Sequence, residues 1–180
     1  EQDLVTESIC GQPITDVRDG KIYSTIQIGD QCWLAENMNI GTMINDLVDQ
    51  SDNDIIEKYC YDNDESYCDV YGGLYLWDEM MDYQPSDAEN PGVTQGICPD
   101  GWHAATDEEW KELEMALGMS QSEADNIGWR GINEGGKLKE SGTIHWINPN
   151  KGATNESGFT ALPSGYRWFN TGNYGMLRYE

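Results

Sequence analysis

The 180-residue chain carries 33 Asp and Glu against 10 Lys and Arg, a net charge of −23. Nucleic-acid affinity rests on Lys and Arg displacing phosphate counterions, so the charge excludes a nucleic-acid partner, and an anionic membrane surface with it. The length suits one domain with a sizeable core, and 20 Gly with few aliphatic residues point to a loop-rich fold whose 7 Trp mostly fill the interior.

Residues 1–15 read as an N-terminal arm, and residues 16–180 as one domain. The Asp19-Gly20 turn and the alternating run Ile22–Ile28 predict a hairpin. A second turn at Gly29-Asp30 leads into a strand from Gln31 to Met38. Residues 39–58 are acidic and irregular, a long surface loop without the ordered oxygen spacing of a calcium loop. Cys60 and Cys68 bracket a polar turn. Tyr71–Met81 reads as a short helix with Leu74, Trp77 and Met81 on one face. Pro85, Pro91 and Gly92 mark a surface connection.

The clearest signal is Gly101-Trp102-His103 running into Ala104-Ala105-Thr106-Asp107-Glu108-Glu109-Trp110. Thr106 is an N-cap with Glu109 three residues on, a capping box. The three acids favour the helix start electrostatically. Trp110, Leu113 and Leu117 form an apolar face over a helix of about residues 107–117, closed by Gly118. Ser120 and Glu123 form a second capping box. Lys137–Lys139 predicts a short strand. Phe159–Pro163 and Gly165–Phe169 predict strands around a turn, followed by a tail with no convincing closing strand. Strands, then two helices, then further strands indicate an α+β fold.

The five cysteines, Cys10, Cys32, Cys60, Cys68 and Cys98, contain no Cys-x-x-Cys pair, which removes a zinc ribbon or a thioredoxin-like site. Cys60 and Cys68 are close enough in sequence to bridge in an oxidising compartment. The odd count leaves one thiol free or paired beyond residue 180. The two histidines, His103 and His145, lack a nucleophile elbow or any triad pattern, so packing and hydrogen bonding are their expected roles. No apolar run reaches the roughly 20 residues of a membrane span. The first residues do not form a signal peptide, so for an exported protein the signal has already been removed.

Taken in order, several blocks resemble the Fibrobacter succinogenes major paralogous domain, a family of bacterial cell-envelope and secreted proteins. They are Asp19–Tyr23, Ile28–Met38 with Trp33, Glu36 and Asn37, Tyr59–Asp64 with Cys68, Tyr71–Trp77, Cys98–His103 with Thr106–Trp110, Gly135–Lys139, and Asn155–Arg167 with Gly165, Tyr166 and Arg167. The resemblance covers roughly residues 16–175. It implies a C-type-lectin-like fold, with two short helices packed on small antiparallel sheets among long loops, related in outline to the formylglycine-generating enzymes. It also implies export to an extracellular or outer-membrane setting. Residues 174–180 lack the Trp-Trp-Ser-Ser segment usual in the family, which implies a chain that stops short of the family's usual end, with Cys98 separated from a partner.

The resulting expectation is a non-catalytic domain binding a glycan or envelope protein at the bacterial surface, with no cofactor and calcium as a minor alternative. An enzyme of the formylglycine-generating type, using a reactive cysteine pair that includes Cys98, and a purely structural module are the competing expectations.

Overall fold

The computed structural model describes residues 9–168 and 170–179. Phe169 and most of the expected N-terminal arm lie outside the described residues. The fold is α+β: the described residues form eight short strands in four two-stranded sheets, with five α-helices among them. Strands β1 (Ile14–Thr15) and β2 (Ile22–Tyr23) pair antiparallel across the Asp19-Gly20 turn. Strands β3 (Thr25–Ile28) and β4 (Gln31–Leu34) form the longest antiparallel ladder, turning at Gly29. Strands β5 (Thr42–Met43) and β6 (Glu57–Lys58) pair parallel inside the stretch expected to be irregular. Each contributes two residues, too few for a visible alternation. That parallel pair also corrects the expectation of antiparallel sheets throughout.

Helix α1 (Glu65–Tyr71) occupies the segment read as a polar turn. Asp64 caps it by accepting from Ser66 N. Gly72 then leaves the helix at φ 80°, where a Cβ would meet Asn37 Cβ at 2.5 Å and Met38 O at 2.9 Å. The continuous helix expected over Tyr71–Met81 is therefore broken. Leu74 bridges Tyr59 by backbone hydrogen bonds of 2.9 Å in both directions, and only Trp77–Met80 is helical, as α2. Met81 is buried while Trp77 is 60% exposed, so they share no apolar face.

Helix α3 (Asp107–Ala116) and helix α4 (Gln121–Ala124) both begin with the expected capping boxes. Helix α5 (Glu134–Leu138) replaces the strand expected at Lys137–Lys139; Glu134 accepts from the backbone N–H groups of Ile132 and Asn133 and sets its first turn. Lys139 alone bridges Ala161, in parallel sense. Strands β7 (Tyr166–Arg167) and β8 (Tyr174–Gly175) pair antiparallel, closed by Trp168 N donating to Asn173 O at 2.8 Å. The tail does close a hairpin, through positions too short to read as a strand.

The core centres on Ile28 of β3, Leu113 of α3 and Leu117 at the C-cap of that helix, with Ile26, Trp33, Leu138 and Phe159 packed around them. Ile28 and Ile26 come from the ladder, and the two leucines are one helical turn apart on the face toward it. Of the seven tryptophans only Trp146 is buried. Trp77, Trp110, Trp129 and Trp168 are 60%, 41%, 102% and 53% exposed, which corrects the expectation of a tryptophan-filled interior. Tyr23, Tyr59, Ile40, Ile97, Met81 and Met119 fill it instead.

Two disulfides join Cys60 to Cys68 and Cys10 to Cys32, and both fit an extracellular, oxidising setting. The second ties the start of the described chain to β4. Replacing Cys10 and Cys32 together by Ser is expected to lower stability by about 3 kcal/mol on the chain-entropy account. The check is the urea unfolding midpoint of wild type and variant; an unchanged midpoint would mean that the bridge only decorates the fold. No helix among the described residues is long and apolar enough to cross a membrane.

Candidate functional site

Four separated segments enclose a cleft of about 390 Å3. Lys21 to Tyr23 come from β2 and its lead-in, and Ala35 to Asn39 from the chain after β4. Asp69 to Gly72 come from the end of α1, and Phe159 to Leu162 from the approach to β7. Asn37 holds two of these walls together. Its Nδ2 donates to Tyr71 O at 2.9 Å and to Ser164 Oγ at 2.7 Å, and Ser164 Oγ donates to the same Tyr71 O at 3.1 Å. Glu36 accepts from Ser24 N at 3.1 Å through Oε1. Apolar Ile22, Phe159 and Leu162 share the lining with the polar ends of Lys21, Asn39 and Thr160. A mixed surface of this kind suits a ligand with apolar faces and hydroxyl or amide edges.

The remaining motif residues serve the scaffold. Gly101 turns at φ 84°, and Trp102 N closes that turn onto Pro99 O. Thr106 and Glu109 are the reciprocal caps of α3. The buried Glu109 carboxylate also accepts from His103 Nε2 at 2.7 Å and from Gly92 N at 3.3 Å. Trp110, expected to anchor the core, lies half-exposed against the Trp33 ring at 4.7 Å between centroids; Leu113 and Leu117 take the interior. Gly165 at φ 68° sits 2.7 Å from Gly175 O and 2.9 Å from Tyr61 Cε2 at the Cβ position, so no side chain fits there. Tyr166 is exposed in an edge-to-face pair with Trp168 at 5.1 Å. Arg167 lies 3.9 Å over the Tyr59 ring and donates to Asp46 O.

Both histidines are paired with a carboxylate, His145 Nδ1 with Glu140 Oε1 at 2.8 Å. Cys98 is the one free thiol, and burial pushes it up to about 11, away from the thiolate that a reactive cysteine requires. Among the described residues no group of three or more His, Cys, Asp or Glu is arranged to hold a metal ion.

The family model described as the Fibrobacter succinogenes major domain matches residues 26–179. The chain belongs to that family. The match takes in every wall of the cleft except Lys21–Tyr23. No curated protein and no solved structure matches the chain. Within this family member, Glu36, Asn37 and the bridged Cys68 are the expected site residues that reach the cleft. Lys21, Asn39, Phe159 and Thr160 were not singled out as site residues by sequence reasoning. Lys21, Phe159 and Thr160 lie within the family blocks and Asn39 just after one, but their convergence on one cleft is a product of tertiary folding.

Proposed function

We propose that the domain is a non-enzymatic binding module of an exported protein, built on a C-type-lectin-like α+β fold, that takes a glycan in the cleft beside Asn37. The observation that carries this reading is the lining itself. Ile22, Phe159 and Leu162 offer apolar contact to sugar-ring faces, while Thr160 and Glu36 offer donors and acceptors to hydroxyl groups. Two disulfides support an extracellular or outer-membrane setting. Neutral glycans suit a chain of net charge −23 better than anionic ones. The alternative of formylglycine-type oxidation has little to recommend it, because four of the five cysteines are consumed in disulfides.

A second reading, docking to an envelope protein, draws on the 127–132 loop, where Ile127, Trp129 and Ile132 are 102%, 102% and 91% exposed. Glycan-array screening followed by calorimetric titration separates the two. Thr160→Ala and Phe159→Ser should each weaken glycan binding at least tenfold in protein that unfolds cooperatively, with Trp129→Ala leaving it unchanged. A glycan that binds equally well to both cleft variants would overturn the assignment of the cleft.

A further inference from the structure

The buried wall of the cleft places two lysines on one asparagine. Lys58 Nζ donates to Asn39 Oδ1 at 2.6 Å and to Asn39 O at 3.2 Å. Lys21 Nζ donates to the same backbone oxygen. Lys58 is 2% exposed and Asn39 8%. In a chain with 33 carboxylates, among the described residues none lies within ion-pair distance of Lys58. An ammonium removed from water and not in contact with a carboxylate is less favoured than an exposed one, although Glu65 and Asp19 act on Lys58 from farther off in the opposite sense. Burial first, and the charge of Lys21 second, accordingly hold Lys58 below the ordinary lysine range. The Lys58 amine, once it gives up its proton, is a nucleophile held in hydrogen-bond contact with the Asn39 carboxamide, an electrophile.

We propose that Lys58 and Asn39 join through an intramolecular amide cross-link. Lys58 Nζ adds to Asn39 Cγ, forming one C–N bond. The tetrahedral intermediate then breaks its bond to Nδ2, and the carbonyl reforms. The proton lost by Nζ goes to the departing nitrogen, which leaves as ammonia, so the step balances without an oxidant or a co-reactant. Lys21 stands beside the pair to pass that proton: its Nζ donates to Asn39 O and is held by Asp19 Oδ2 at 3.2 Å. Attack requires Nζ to swing from the lone-pair side of Oδ1 to the face of the amide, a rotation about the last bonds of the Lys58 side chain.

Holding the two groups in contact replaces an encounter with a unimolecular step and supplies much of the acceleration. Burial of Lys58, 2% exposed, keeps its amine out of bulk water and close to the carboxamide. Tyr23 Oη accepts from Asn39 N at 3.1 Å and fixes the electrophile's backbone. Asn39 Nδ2 makes no hydrogen bond among the described residues, and Asn39 lines the cleft, which gives ammonia a way out. The bond would close the stretch between residues 39 and 58, whose ladder is only the two-residue pairing of β5 and β6.

Intact-mass spectrometry of the reduced, purified protein tests this directly. The expected mass is lower than the sequence requires by one ammonia, and fragmentation of a proteolytic digest should yield a branched peptide joined through Lys58 and Asn39. Lys58→Met should restore the full mass. A wild-type protein at full mass after prolonged incubation at neutral pH overturns the proposal. So does a loss of ammonia that persists in Lys58→Met, since it would come from an asparagine cyclising on its own backbone. Should that variant not fold, the wild-type digest decides: the branched peptide supports the cross-link, and separate unmodified Lys58 and Asn39 peptides refute it.

Discussion

Leu113→Ala is expected to lower the stability of the domain by about 3 to 4 kcal/mol, measured as a shift in the urea midpoint at unchanged slope. Leu113 is fully buried and sits between Ile28 and Leu117, where ladder and helix meet. Removing its branched end takes away transfer free energy and leaves a void. Ile28 is held in the β3–β4 register and Leu117 at the helix C-cap by its N–H to Leu113 O, so neither can move far to fill it. Trp110→Ala, one helical turn earlier, should cost clearly less, because that ring is already 41% exposed and rests on Trp33 at the surface. Equal losses at the two positions would mean that the apolar face of α3 had been oriented incorrectly.

Glu109→Ala is expected to cost about 3 kcal/mol. The carboxylate is 6% exposed and accepts from Thr106 N at 2.9 Å, Thr106 Oγ at 3.2 Å, His103 Nε2 at 2.7 Å and Gly92 N at 3.3 Å. Alanine would strand these donors in the interior, whereas Thr106→Ala removes one cap and should cost about 1 kcal/mol. The effect depends on pH. Burial pushes the Glu109 carboxyl up, but the Thr106 N–H, His103 and Gly92 N–H together pull it further down, to a net value below the ordinary 4.5. A group whose folded value is depressed contributes stability fully above its unfolded value and loses it as pH falls through the folded value. The stability gap between wild type and Glu109→Ala should therefore hold constant from neutral pH to about 5 and narrow at lower pH. Chemical denaturation at a series of pH values measures it. A gap that stays constant into the acid range would assign the loss to packing alone.

What could be read in the sequence was local. The Asp19-Gly20 and Gly29-Asp30 turns, the helix begun by Thr106 and Glu109, the shorter one begun by Ser120 and Glu123, and the pairing of Cys60 with Cys68 each depend on residues close together in the chain. Their signals are chemical: a glycine for a tight turn, an oxygen for an orphan N–H, two thiols at short loop length. The family, too, was legible, as an ordered set of such blocks.

The tertiary structure decided whatever depends on distant partners. Helix α1 ends because Gly72 must pass close to Asn37, and the following residues bridge Tyr59 when their own pattern favoured a helix. Size alone favours an interior place for tryptophan, yet burial depends on which elements are stacked above a residue, and four of the seven rings lie exposed. The cleft and the contact of Lys58 with Asn39 depend on the same long-range placement. Sequence by itself settled the caps, the turns, the acidic character and the family. Packing settled which residues meet, because a contact across many intervening residues is selected by the whole fold and leaves no mark in the local pattern at either end.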